Sequence, residues 1–220
     1  MKNFERELAA AADLLGEARG ARDVAAVMAR LNSQSEAAVD MALTREAKEM
    51  IACRAGCSVC CSVNVAALLP EAVAIAEYLT ANLPPAMLPR MKAILGETAE
   101  RIRWMEDDER RRLRISCPFL DTRGWCIIHP ARPLVCRSIT STDPELCRQA
   151  MDADPDEPVP VVMNLVQKFL FDTSFRTLGD TLERLGLESR SFELSRAVWH
   201  CLIDPEIAAR FLSGGQLSLS

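Results

Sequence analysis

The sequence has little histidine: His129 and His200 are its only two in 220 residues. Neither stands beside a serine or a paired carboxylate at a recognisable spacing, so a hydrolytic triad is not expected. No G-x-G-x-x-G and no P-loop is present, which argues against nucleotide binding by the common phosphate loops. Long apolar runs are also missing. Stretches such as Val65–Leu69 fall far short of the ~20 residues a membrane helix needs, so no membrane association is expected. There is no basic excess. Lys and Arg number 26 against 31 Asp and Glu, a net charge of −5. General nucleic-acid binding needs a basic surface to displace counterions, and none is expected here. Charges at Glu5, Arg6, Glu7 and Asp13 interrupt any apolar leader, so a secretory signal is not expected and the protein reads as cytoplasmic.

What the chain does have is cysteine, nine in all. Eight fall between Cys53 and Cys147, and four of those between Cys53 and Cys61. About half the residues are hydrophobic (49%), enough for a sizeable core and too many for a disordered chain. A reducing cytosol keeps thiols reduced, so clustered cysteines there more often bind metal or do redox chemistry than form disulfides. An odd count agrees, because nine thiols cannot all pair.

Most of the chain reads as helix, and the expected fold class is mainly α with a small β-hairpin in a cysteine-lined metal-binding core. Three stretches are expected: N-terminal helices over 1–52, the cysteine core over 53–150, and an acidic linker with C-terminal helices over 151–220, packed as one domain. The patterning predicts helices over Asn3–Arg19 and over Arg22–Ala52, the second with a break near Asn32-Ser33 and an end at Gly56. Further helices are expected over Pro70–Asn82 and Met87–Arg114. The Arg101–Arg114 end holds six arginines among four acids and reads as a solvated, ion-paired helix. Cys117–Ile128 reads as two short strands around a turn at Asp121–Gly124. Thr142-Asp143-Pro144-Glu145 is a capped helix start. The linker runs from Asp152 to Pro160. Helices over Val161–Leu185, Ser191–Leu202 and Pro205–Leu212 follow.

The first cysteine cluster has the spacing C-x3-C-x2-C-C, from Cys53 through Cys57 and Cys60 to Cys61. As a helix, it would place all four thiols within an arc of about 100°. As a loop, Gly56 would let the backbone fold around an ion. The second cluster is Cys117, Cys126, Cys136 and Cys147, which a hairpin and short helical turns would have to gather. Zinc and iron–sulfur iron both favour thiolate, and a bound metal deprotonates the thiol outright. Eight thiols supply two four-thiolate sites, or one site with spare thiols. Zinc ribbons usually present two C-x2-C knuckles, whereas this chain has one, and iron–sulfur sites accept more varied spacing. A thiol–disulfide site at Cys57/Cys60 lacks the βαβ context of thioredoxin-like folds. Cys201 stands alone and reads as a core thiol. His129 and His200 read as structural.

Cys57-x2-Cys60-Cys61, then Cys117-Pro-Phe-Leu, then Gly124-x-Cys126-x-Ile128 and Arg132-Pro133-Leu-x-Cys136-Arg137, together resemble the YkgJ-like cysteine-cluster (CxxCxxCC) family, a zinc- or iron-chelating domain. The resemblance covers roughly Cys53 to Cys147. Ser141-Thr-Asp143 and Cys147 also look like members in which an Asp and a further Cys follow the Cys-Arg. The first gap holds three residues where the family name implies two, which sets Cys53 apart from the other three. His129 stands where the family often has Tyr. Flagellin lysine methylases share the cysteine pattern, associated there with an iron–sulfur cluster, but nothing else of that enzyme matches.

The resemblance implies a metal centre, zinc or an iron–sulfur cluster such as 4Fe-4S. Its ligands would be Cys57, Cys60, Cys61, Cys117, Cys126 and Cys136, with Cys53 and Cys147 as further candidates. It also gives Arg132, Pro133 and Arg137 a supporting role. Guanidinium groups would offset the negative charge of a thiolate site and donate to sulfur or to turn carbonyls, and Pro133 would fix the turn that aims Cys136. Three functional readings follow: a metal-binding protein, a metal-dependent redox or group-transfer enzyme beside an open pocket, or a metal-stapled interaction module.

Overall fold

The computed structural model describes residues 2–154 and 156–219. Pro155, inside the expected acidic linker, lies outside the described residues. The fold is mainly α with a small two-stranded antiparallel sheet.

Helix α1 (Lys2–Ala12) buries Leu8, Ala11 and Ala12, and ends in a single 3-10 turn over Asp13–Glu17. Helix α2 (Ala21–Ala42) buries Val24, Val27, Met28, Leu31 and Ser35, a stripe at helical spacing. The expected break at Asn32-Ser33 does not occur. The reason is tertiary. Ser35, one turn on, is fully buried against Ser174, with their hydroxyls 2.8 Å apart. That contact holds α2 in register through its polar stretch. A short α3 (Arg45–Glu49) follows, capped by the Thr44 hydroxyl accepting the Ala47 N–H. No helix reaches Gly56.

Strand β1 (Ala66–Leu68) runs straight into α4 (Leu69–Asn82), which starts with Pro70 in its first turn as expected. The expected helix over Met87–Arg114 is instead two: α5 (Leu88–Arg101) and α6 (Asp107–Arg112). Asn64 explains the interruption. Its side-chain amide donates to the Met105 carbonyl at 2.8 Å, and its own N–H donates to Asp107 at 2.7 Å. Both bonds pin the chain between the helices to the end of the first cysteine segment.

The second cysteine segment carries α7 (Leu134–Ser138) and α8 (Pro144–Asp152). Asp143 caps α8 by accepting the Glu145 and Leu146 N–H groups at 2.7 and 3.3 Å. Helix α9 (Leu165–Arg184) starts later than expected, at the Asn164 cap, and the chain turns at Gly186 with φ +68°. Strand β2 (Ser191–Glu193) leads into α10 (Leu194–Ile203), and α11 (Ile207–Leu212) follows.

Strands β1 and β2 pair antiparallel, with Ala66 opposite Glu193, Ala67 opposite Phe192 and Leu68 opposite Ser191. The pairing ties the chain beyond the first cysteine cluster to the C-terminal helices. One buried cluster draws on α1, α2, α4, α5, α9, α10 and α11, and takes in Phe119, Ile128 and Leu134 from the cysteine segment. Fully burying each such side chain contributes about 1.5–3 kcal/mol. Among the described residues, no helix is long and apolar enough to cross a membrane.

Candidate metal centre

The first cysteine cluster is a loop of two successive turns, so the helical-face reading does not hold. The Cys57 N–H donates to the Arg54 carbonyl at 2.9 Å, with Gly56 at φ +86° in the third position. That is the place where a type II turn requires glycine. The Cys61 N–H then donates to the Ser58 carbonyl at 3.0 Å. Gly56 has a second constraint. A Cβ there would sit 3.0 Å from Trp125 Nε1, so the Trp125 indole lies directly on this loop.

The expected hairpin is present around Asp121–Gly124. Leu120 and Cys126 form an antiparallel bridge, and the Ile127 N–H donates to the Phe119 carbonyl at 2.9 Å. Asp121 closes the turn, its carboxylate accepting the Arg123 and Trp125 N–H groups at 2.8 and 2.9 Å. The hairpin is stitched to the first cluster where the Cys117 N–H donates to the Cys61 carbonyl at 2.6 Å.

The core aims three of these thiols by one device. Phe119, Ile128 and Leu134 are almost fully buried, at 0, 1 and 0% exposure. Each lies two residues from a cysteine: Cys117, Cys126 and Cys136 respectively. The apolar anchor enters the core and leaves the thiol at its margin, half-buried.

Cys53 and Cys147 are linked by a different route. The Ser141 N–H donates to Cys53 Sγ at 3.3 Å, and the Ala52 N–H donates to the Ser141 carbonyl at 2.8 Å. Ser141 also exchanges hydrogen bonds with the Asp143 backbone, its hydroxyl donating at 3.0 Å and accepting at 3.1 Å. Asp143 caps α8, which carries Cys147 in its first turns.

The ionisation pattern shows which thiols share a neighbourhood. Cys60 is drawn down to about 7, chiefly by a hydrogen bond with the Cys61 thiol, and Arg132 helps. Cys61 is pushed up by the same bond, by burial, and by Cys60, Cys117 and Cys136. Cys117 rises to about 11 through burial, with a smaller push from Cys126. Cys136 rises through burial and through Cys117, Cys60 and Cys126. Cys126 is raised by burial against the pull of Arg132 and Arg137. Cys53 rises through burial and through Cys57, Cys60 and Cys147. Thus the charges of Cys60, Cys61, Cys117, Cys126 and Cys136 act on one another, and Cys53 feels Cys57, Cys60 and Cys147.

All nine cysteines are free thiols. Among the described residues, no three His, Cys, Asp or Glu side chains are arranged to hold a metal ion, so ligation requires the thiols to close in. The donor chemistry fits a thiophilic centre. Burial resists forming the Cys61, Cys117, Cys126 and Cys136 thiolates without a counter-charge, and a bound cation supplies that charge.

Arg137 is almost fully buried and holds the turn before Cys136 together. Its guanidinium donates to the Arg132 carbonyl at 2.8 Å and to the Pro130 carbonyl at 2.7 Å, and pairs with Glu36. Cys201 packs at the edge of the core, raised to about 12 by burial, apart from the other eight.

Three participants are not evident from sequence. Glu71, fully buried on α4, accepts the Leu68 and Leu134 N–H groups at 2.8 Å each, fixing the start of the helix that carries Cys136. Its spacing from Leu68 matches half a capping box, which is the one local signal for it. Ser141 gives no local signal as the partner of Cys53. Arg110 corrects the solvated reading of the arginine run. It is 2% exposed and bonds to Ile115, Asn64 and Glu193 at 3.3, 3.0 and 3.3 Å. Its neighbour Arg111 donates to the Ala150 and Ala153 carbonyls at the end of α8. Part of the run therefore joins elements rather than facing water.

Residues 52–156 match the CxxCxxCC family model, described as a "putative zinc- or iron-chelating domain". The match is to the cysteine-cluster family that the sequence resembles, and it covers just under half of the chain. No similar curated protein and no similar solved structure was found.

Proposed function

We propose that the protein holds an iron–sulfur cluster or zinc through Cys57, Cys60, Cys61, Cys117, Cys126 and Cys136, with Cys53 and Cys147 as additional ligands. The observation that carries this reading is the joining of the cysteine segments: the Cys117 N–H bonds the Cys61 carbonyl, and buried anchors two residues away set Cys117, Cys126 and Cys136 at the margin of one core. When bound, the centre supplies Lewis-acid or electron-transfer chemistry, and the protein supplies the rest. Arg132 offsets thiolate charge. Arg137 and Pro133 fix the turn that aims Cys136. Trp125 covers the Gly56 turn. Reduced thiols in this number suit a reducing compartment, which supports a cytoplasmic location.

Single Cys60→Ser and Cys61→Ser replacements test the ligand set. Each lowers bound metal per chain, read by elemental analysis, while Cys201→Ser leaves it unchanged. Undiminished metal in the first two variants overturns the assignment.

A further inference from the structure

Arg110 on α6 is buried, a costly place for a cation unless it is paired and well bonded. Its acceptors lie beside two cysteines. Its Nη1 donates to Asn64 Oδ1 at 3.0 Å, three residues beyond Cys61. Its Nε donates to the Ile115 carbonyl at 3.3 Å, two residues before Cys117. Between these contacts the Cys117 N–H bonds the Cys61 carbonyl at 2.6 Å. One guanidinium therefore closes the two cysteine segments around the backbone bond that joins two candidate ligands. Its planar fork fixes both acceptors in one geometry, which an ammonium on a flexible stem does not. Asn64 is itself held in place by Asp107 and the Met105 carbonyl.

The third partner comes from the other end of the chain. Arg110 Nη1 also donates to Glu193 Oε1 at 3.3 Å, and of the three acceptors only Glu193 carries charge. Glu193 ends β2 and caps α10, its carboxylate accepting the Ser195 hydroxyl at 3.2 Å and the Arg196 N–H at 3.1 Å. Both elements lie outside the 52–156 segment that matches the family model. The charges of Arg110 and Glu193 act on the Cys117 thiol in opposite directions.

We propose that Arg110 is a positioning residue of the metal centre, clamping Cys61 and Cys117 at ligand spacing, and that its pairing with Glu193 makes metal retention depend on the C-terminal helices. The inference rests on the reading that these thiols hold a metal, and is the same for zinc and for a cluster. Arg110 acts through the two cysteines. With the clamp released, the stretch from Ile115 to Cys117 is free to part from the loop that ends at Cys61, and two ligands lose their fixed separation.

The rate at which full-length, anaerobically purified protein yields its zinc or iron to excess 4-(2-pyridylazo)resorcinol, read by absorbance, tests the clamp. Arg110→Met should release metal at least about tenfold faster than wild type, the loss expected for hydrogen bonds to a charged group. Glu193→Gln keeps an acceptor but removes the counter-charge, and should release metal at least about threefold faster. The double variant should be no faster than Arg110→Met, because both changes break one clamp. Gly96→Ala is the control for lost stability: it strains α5 against Trp199 of α10, away from the clamp, and should release metal at the wild-type rate. If Arg110→Met does not fold, Glu193→Gln against Gly96→Ala decides alone. Release from Arg110→Met no faster than from Gly96→Ala marks a merely structural arginine and overturns the proposal. Faster release in Arg110→Met with an unchanged Glu193→Gln overturns the part given to the C-terminal helices. Wild-type protein that purifies folded without metal overturns the metal-holding reading itself, and the clamp with it.

Discussion

Glu71 and Leu134 are joined by a 2.8 Å hydrogen bond between a fully buried carboxylate and the first N–H of the helix that carries Cys136. The other oxygen of Glu71 holds the Leu68 N–H at the junction of β1 and α4. One side chain thus fixes the β1–α4 junction against the second cysteine segment. A Gln in its place would turn an amide N–H₂ toward one of two donors. We expect Glu71→Gln to lower stability by about 1–3 kcal/mol, measured by urea unfolding. Burial raises the Glu71 carboxyl to about 7, against the pull of its two N–H partners and Arg137. Between about pH 4.5, its ordinary value, and 7, the folded state therefore holds more protons on this group than the unfolded state. This contribution to stability is present below pH 4.5 and is lost as pH rises through 7. The pH slope of wild-type stability over that window should shrink in Glu71→Gln; identical slopes would contradict the assignment.

The anchor device predicts that core and metal site fail together. Phe119→Ala removes a fully buried ring and should cost about 3–5 kcal/mol. It should also lower metal per chain by releasing Cys117. Phe119→Leu fills most of the space and should retain metal at a smaller cost. Full metal content in a folded Phe119→Ala protein would separate the thiol from its anchor.

Gly96 on α5 faces Trp199 on α10. A Cβ at position 96 would lie 2.8 Å from the indole Nε1 and 3.1 Å from its Cε2, so a rigid ring must shift. Gly96→Ala gains helix propensity but should still destabilise, by about 1–3 kcal/mol. Thermal unfolding would show a lowered midpoint. A raised midpoint would mean that Trp199 moves freely.

Acid should loosen the C-terminal tail. Glu188 is held down to about 2, first by its hydrogen bonds with Arg190 and then by the Leu217 and Arg190 N–H groups. Its contribution is complete above the ordinary carboxyl range near 4.5 and is lost as pH falls toward 2. The protection factor of the Leu217 amide, taken against the intrinsic exchange rate at each pH, should fall over that interval, and Glu188→Gln should show the lower protection already at neutral pH.

Elements with strong local signals were legible in the sequence: the Pro70 helix start, the Asp143 cap and the Asp121–Gly124 turn. The β1–β2 pairing was not, because three-residue strands carry no alternation and their register follows from docked helices. Likewise, Asn32 and Ser33 read as a break until Ser35 is seen bonded to Ser174. The site divides in the same way. Cysteine spacing and the Arg-Pro turn named the candidate thiols. The supporting bonds from Glu71, Ser141 and Asn64 span the fold and leave no local trace. Arg110 was hidden differently, since a run of mixed charge looks solvated whichever member turns inward.

The central claim is that these thiols hold a metal centre. Anaerobic purification, with metal and acid-labile sulfide measured per chain and a visible spectrum, tests it most directly. The account predicts either stoichiometric iron with sulfide and a brown protein, or stoichiometric zinc in a colourless one. A folded protein without either metal, in which all nine thiols react freely with a thiol reagent, would contradict it.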